Sequence, residues 1–466
     1  MKRISIISCL LLLLLPFGTD AYLLQAQNLR RRASLGFRPA PVSDSLAKAK
    51  TIDGGLLITN IRPNGTFESF GVLENDILLK ANGAQITDWA SGRAIFSNLF
   101  EGDQLAITVL RAKGKKDKRI ELKGKVKGLP KEANTPNYDV EYGEAPFLNG
   151  YLRTITTLPK TKGPHPIIYF IPGYNCFSMD NMRAMHPYRK MIDSLTKLGN
   201  IVYRVDKPGM GDGPSPCNCQ DTGFETELQA FKAGYKNLLK QSFASEERIF
   251  IFGHSMGGIE APLMAAGKEI NPKGIAVYGT VFQTWYEYIL NMLRFQEPRS
   301  GEEYIPFEAD MQEYIQLLYA HYVEFKPLSE ITKNPKWEAL LKRDFLMDDQ
   351  GNLLFRKAEY WQEIAKHTLA DAWAKTDAHV LSIYGEADFE VFSAFSMQEI
   401  ARIVNAYHPG HGTFAELKGS DHSMIKVGSM AEGVALRGSP IYRDFFVNKF
   451  NYEIITMLND WISKTI

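Results

Sequence analysis

The chain has 466 residues, with 54 Lys plus Arg set against 53 Asp plus Glu, for a net charge of +1. Nothing in so even a balance points to nucleic acid or an anionic membrane surface as the main partner. The length suits two or three domains, and an apolar share of 45% supplies a sizeable core.

The N-terminal stretch reads as an address. Lys2 and Arg3 precede an apolar run over 4–15, closed by Pro16, and small residues lead to Ala26. The run is short for a membrane span, which needs about 20 apolar residues. Residues 1–26 therefore read as a secretory signal peptide. The mature protein is expected to be secreted or periplasmic, with no membrane span. Cys9 lies inside the run, so a lipoprotein attachment site is not indicated. The mature chain keeps Cys176, Cys217 and Cys219, and an odd number leaves at least one unpaired in a monomer. No His-Cys cluster accompanies Cys217-Asn218-Cys219 to complete the roughly four ligands of a zinc site, so no metal is expected.

A first domain is read over 30–127. The stretch 55–61 is β-branched and strand-like. Pro63-Asn64-Gly65 is turn chemistry, and 66–70 forms a short helix with Gly71 just beyond it. A strand over 76–83 enters an Asn-Gly turn. Residues 89–99 suit a helix, and 105–110 and 118–125 two paired strands. The Lys-rich stretch 113–127 reads as a solvated hairpin edge, where lysines block strand-to-strand association. The stretch 38–50 carries no regular pattern. Ser34-Leu35-Gly36-Phe37, Asn60-Ile61-Arg62-Pro63-Asn64-Gly65-Thr66 and Gly71-Val72-Leu73-Glu74-Asn75-Asp76-Ile77-Leu78 resemble a PDZ domain of the bacterial secreted type. The resemblance implies that backbone amides of Leu35, Gly36 and Phe37 bind a C-terminal carboxylate while the peptide adds a strand to the sheet edge.

Residues 128–146, with several Pro, Gly and Asn, read as a linker. From there to 466 short apolar runs alternate with helical patterns, as in a mostly parallel sheet of an α/β domain. The strands are read at 167–171, 201–205, 248–252, 274–278 and 379–384. That alternation stops between about 284 and 375, where aromatics are dense and the spacing over 311–325 is helical. This insertion reads as a helical cap over the strand ends, lining a substrate pocket.

Strand 248–252 runs into Gly253-His254-Ser255-Met256-Gly257-Gly258 and an Ala-rich helix over 259–268. That is Gly-x-Ser-x-Gly in the strand-turn-helix setting that lifts a serine above a sheet edge. A serine needs a base to take its proton. His422, in the loop after the short apolar segment 414–417, suits that role, ahead of His408 and His411, which precede the segment. The base needs an acid to hold its tautomer. Asp388, just past strand 379–384, is the choice, ahead of Glu386 and Asp421. His254 reads as structural. Two oxyanion donors are expected: the amide of Met256 and, from the loop Ile171-Pro172-Gly173-Tyr174-Asn175, that of Tyr174.

With Val205-Asp206-Lys207-Pro208-Gly209-Met210-Gly211-Asp212-Gly213 added, these motifs resemble the α/β-hydrolase family over about two thirds of the chain, most closely its capped esterases and peptidases. The resemblance implies acyl transfer to water through an acyl-serine intermediate, with no cofactor. The substrate would be a small-molecule ester or amide, or a peptide. In that fold the strands ending at Ile171 and Val205 are neighbours, which implies a disulfide from Cys176 to Cys217 or Cys219. The competing reading is a periplasmic PDZ scaffold whose hydrolase fold is not used for catalysis.

Overall fold

A computed structural model of the chain describes residues 29–114, 116–213 and 218–466. The signal-peptide reading of 1–26 and the Cys217 alternative lie outside the described residues. The strands are β1 (Phe37–Pro41), β2 (Leu56–Ile61), β3 (Ile77–Ala81), β4 (Ala84–Gln85), β5 (Gln104–Lys113) and β6 (Lys116–Lys125), then β7 (Tyr138–Phe147), β8 (Gly150–Pro159), β9 (Ile167–Ile171), β10 (Ile201–Val205), β11 (Ile249–His254), β12 (Gly274–Tyr278), β13 (Asn352–Leu353), β14 (Arg356–Lys357), β15 (His379–Gly385) and β16 (Gly412–Leu417).

The first six strands form an antiparallel sheet in the order β1-β2-β3-β5-β6, with β4 beside β3. Leu105, Ile107 and Val109 alternate inward from β5 and pack with Leu56, Ile58 and Phe67, as a strand with one covered face requires. The stretch 38–50 is more regular than its sequence suggests. It continues β1 and then turns into the helix Asp44–Lys50, started by Ser43, whose side chain accepts from the Leu46 amide. No residue of that helix is buried, so it lacks the apolar periodicity that would announce it.

The larger sheet has eight strands in the order β16-β15-β12-β11-β9-β10-β8-β7. Its parallel part runs from β10 to β16, and β8 and β7 are antiparallel. β9, β10, β11 and β12 are buried at every position, as strands covered on both faces should be. Period two divides β9 between two cores: Ile167, Tyr169 and Ile171 face one, Ile168 and Phe170 the other. The sheet starts at Tyr138, inside the stretch 128–146 read as linker. The half-exposed face of β7, ending in Ala145-Pro146-Phe147, gives it no continuous apolar run to read.

The two regions meet through buried charge. Arg31 pairs with Asp180 at 2.6 Å and with Asp212, which Arg153 Nε also reaches at 2.8 Å. The Arg32 amide donates to the same Asp212 carboxylate at 2.8 Å. Between β12 and β15 lie the helices Trp285–Arg299, Tyr304–Tyr322, Leu328–Ile331, Pro335–Asp344, Ala358–Ala365 and Leu369–Lys375, with the small hairpin β13–β14 among them. They form the cap expected for 284–375, with its long middle helix starting earlier than the spacing over 311–325 suggests.

Candidate active site

Parallel strands direct their C-terminal ends, and the loops that follow, to one edge of the sheet. β11 ends there at His254, and the chain turns at Ser255 with φ +55° before the helix Gly257–Ala265. A non-glycine residue in that region costs energy and persists only when its surroundings hold it. Here the Ser255 amide donates to Tyr278 O at 2.9 Å and Ser255 O accepts from Gly258 N at 2.9 Å. The turn leaves no room for side chains. A Cβ on Gly253 would lie 2.3 Å from Gly257 O, and one on Gly257 would lie 2.3 Å from Ile171 O.

The loop after β15 carries Asp388, fully buried, whose Oδ1 accepts from the amides of Glu390 and Val391 at 2.9 Å each. The loop after β16 carries His422, whose Nδ1 lies 2.9 Å from Asp388 Oδ2. With Nδ1 holding the proton for Asp388, Nε2 is the basic nitrogen. Burial works against a charged ring, but Asp388 and Glu390 outweigh it and push the His422 pKa up to about 9. Ser255 and His422 line one cavity of about 510 Å³. Among the described residues Ser255 Oγ makes no hydrogen bond; such contacts often tighten only once substrate is bound.

The rival residues are engaged elsewhere. Asp421 accepts from the amides of Ser423 and Ile425 and from Tyr442 Oη. Glu386 accepts from Gly419 N at 2.9 Å. His411 stacks on His379, and His408 bonds to Ala374 O at 3.2 Å. His254 serves as a brace: Tyr188 Oη donates to its Nδ1, and its Nε2 donates to His422 O at 2.8 Å. Burial, then the charge of His422, drives the His254 pKa down to about 3, so the ring stays neutral.

Tyr174 and Met256 both line the cavity with Ser255. Among the described residues neither of their amides donates a hydrogen bond, as donors reserved for a developing oxyanion should not. Cys176, two residues past Tyr174, is joined to Cys219 with the Cα atoms 5.8 Å apart.

Glu390 and Arg437 were not singled out from the sequence. Glu390, Asp388 and His422 bring ligand atoms within 4.8 Å of one another. Two acids and an imidazole could in principle hold a metal. Here Asp388 engages His422 Nδ1, and Arg437 Nη2, 2.7 Å from Glu390 Oε1, already balances the second acid. Burial opposes ionisation of Glu390, but His422 and Arg437 outweigh it and hold its pKa below the usual value. The only sequence signal was proximity to Asp388, since an acid two residues past another is ordinary loop composition.

Family comparison agrees with this architecture. Residues 168–435 match the model of the alpha/beta hydrolase family, and residues 33–123 match a PDZ domain. The chain belongs to the alpha/beta hydrolase family and carries a PDZ domain ahead of the hydrolase fold. Among solved structures it is similar to Est1E from Butyrivibrio proteoclasticus, at 13% identity and TM-score 0.42, over 70% of this chain and 98% of that one. It is similar to a Pyrococcus furiosus esterase at 12% identity and TM-score 0.41, over 72% of this chain and 96% of that one. A Pyrococcus horikoshii acylaminoacyl peptidase matches at 13% identity and TM-score 0.41, over 75% of this chain and 48% of that one. No curated protein matches the chain.

Proposed function

We propose that the protein is a serine hydrolase that cleaves an ester, amide or peptide bond through an acyl-serine intermediate. The supporting observation is that Ser255, on its positive-φ turn, lines one cavity with His422, whose Nδ1 is hydrogen-bonded to the buried Asp388. In this reading His422 Nε2 takes the Ser255 proton as Oγ attacks the carbonyl carbon. The amides of Met256 and Tyr174 stabilise the resulting oxyanion. His422 returns the proton to the leaving group, and water repeats the sequence to free Ser255. The cavity wall formed by Trp285 stacked on Trp361 at 5.4 Å, with Ile259 and Ile289, suits an aromatic or bulky apolar acyl group. A fluorophosphonate probe should label the parent and not S255A, which keeps the fold because alanine fits the turn. The S255A rate should drop by roughly 10⁶-fold; turnover retained in S255A on any substrate of the parent sinks the assignment.

Export and peptide docking belong to the same proposal. A Cys176–Cys219 bond suits an oxidising compartment, and fractionation should find the mature protein outside the cytoplasm. In the PDZ domain β1 is the edge strand, and among the described residues the Leu35 and Gly36 amides donate no hydrogen bond. Phe37, which opens β1, packs its ring edge-to-face against Trp89 and Phe96 of the helix Trp89–Phe96. A peptide with a free C-terminal carboxylate should bind more tightly than its amide, measured by calorimetry; equal affinities rule out a carboxylate site.

A further inference from the structure

We propose that Arg356, delivered by a strained turn of the cap, is a positioning residue for the oxyanion loop; this rests on the serine-hydrolase reading above. Arg356 opens β14 and its side chain is 1% exposed. Its Nη1 donates to Tyr174 O at 2.8 Å. Its Nη2 donates to Thr222 O at 3.1 Å and to Glu227 Oε2 at 2.8 Å. The guanidinium also lies over the Tyr360 ring, 3.8 Å from its centroid.

These contacts bracket one peptide unit. The amide proposed to meet the oxyanion belongs to the bond between Gly173 and Tyr174. On one side of that unit Gly173 N–H donates to Tyr188 Oη at 3.2 Å; on the other, Tyr174 O is held by Arg356. The loop is held again just downstream, where Cys176 is bonded to Cys219, three residues before Thr222. Arg356 therefore holds both loops that the disulfide joins. A mislaid oxyanion donor is costly because the stabilisation depends on its placement before the charge appears.

The turn that brings Arg356 inward is itself unusual. β13 and β14 pair Leu353 with Arg356, which leaves Leu354 and Phe355 as a two-residue turn. Both have positive φ, 48° and 65°, where Asn and Gly are the favoured residues. Trp361 Nε1 donates to Leu353 O at 2.9 Å and Leu354 lines the catalytic cavity, so contacts on both sides hold the strained turn in place. The cap thus helps to build the site, in addition to covering it.

The test compares R356M and R356K with the parent in the full chain, using an ester and its thionoester. Sulfur accepts hydrogen bonds poorly, so well-placed oxyanion donors favour the oxygen ester. The parent should be labelled at Ser255 and should prefer the ester. R356M should lose roughly 100-fold in kcat on the ester, with KM within about threefold. Its thionoester rate should fall less, so the preference shrinks. R356K should recover part of both. If ester and thionoester rates fall in step, or the ester kcat stays within threefold in folded R356M, Arg356 is a structural residue only. Should R356M not fold, R356K decides, since lysine keeps the charge beside Glu227 but cannot reach all three acceptors. A parent that resists the probe overturns the serine-hydrolase reading instead, which separates the two failures.

Discussion

Two buried ion clusters lie beside the cavity that Ser255 and His422 line, and they are built differently. In one, Lys207 Nζ meets Glu227 Oε1 at 2.6 Å, Arg356 meets Glu227 Oε2 at 2.8 Å, and Tyr360 Oη donates to Glu227 Oε1 at 3.1 Å. In the other, Asp388 and Glu390 surround His422 beside Ser255. The first is sealed, its three charged side chains at most 1% exposed, and one of its cations is an arginine that does not titrate in proteins. The second has an imidazole that borders the cavity and whose pKa is pushed up to about 9. Burial of charge is therefore not by itself a sign of proton chemistry. The cation must be able to give up its proton, and it must do so where a substrate can reach it.

Removing one charge from each cluster should separate these roles. D388N presents an amide to His422 Nδ1 and favours the wrong tautomer, so kcat should fall by about 10⁴-fold, with the melting temperature nearly unchanged above about pH 9, where the charged ring no longer adds stability. Steady-state kinetics beside a calorimetric melt would show this; a comparable loss of stability would mean that Asp388 is mainly structural. K207M is expected to behave in the opposite sense. Glu227 would keep Arg356 but lose a buried partner, which costs about 3–5 kcal/mol of stability. Denaturant unfolding measures that directly. A K207M protein as stable as the parent would show that Arg356 alone suffices to hold Glu227.

What the sequence discloses follows the same division. Ser255, Asp388 and His422 each sit just beyond a short apolar strand, so local pattern and chain order locate them, and the structure brings all three to one edge of the sheet. The parallel strands were legible for a related reason: β9 and β12 are uninterrupted apolar runs because both faces are covered. Arg356 and Glu227 were not legible. They lie 129 residues apart, and an arginine in a cap or a glutamate in an amphipathic helix looks like ordinary surface composition until the fold buries them. β7 gives no apolar run because exposed positions interrupt it, and β8 gives none because its buried stretch is largely polar, with Arg153, Thr154, Thr156 and Thr157 beside Leu152 and Ile155. Arg31 also gave no sign of its role, since the acids that receive it, Asp180 and Asp212, lie in loops far along the chain.

The smallest effect tests the second cluster most finely. Glu390 adds a negative charge near His422 without taking the Nδ1 proton, so it should tune the base and leave the triad geometry intact. A general base works only when unprotonated, so kcat/KM should rise with pH along a limb set by His422, near pH 9 and above the ordinary imidazole value of about 6.5. In E390Q the neighbouring charge is gone while a side chain of similar shape remains. The limb should move to lower pH, and the rate near neutrality should rise with the larger fraction of free base. Stability should shift in the matching sense. A folded pKa raised above the unfolded one contributes stability that is fully present below about pH 6.5 and lost as pH rises through about 9. E390Q should therefore lose less stability than the parent between those values. Arg437 would be left without its carboxylate partner, so R437Q in the parent background is the control: it removes a balancing cation and should move the limb to higher pH. Limbs that coincide in the parent and E390Q would mean that Asp388 alone sets the base, and that Glu390 serves to hold Arg437 at the mouth of the cavity.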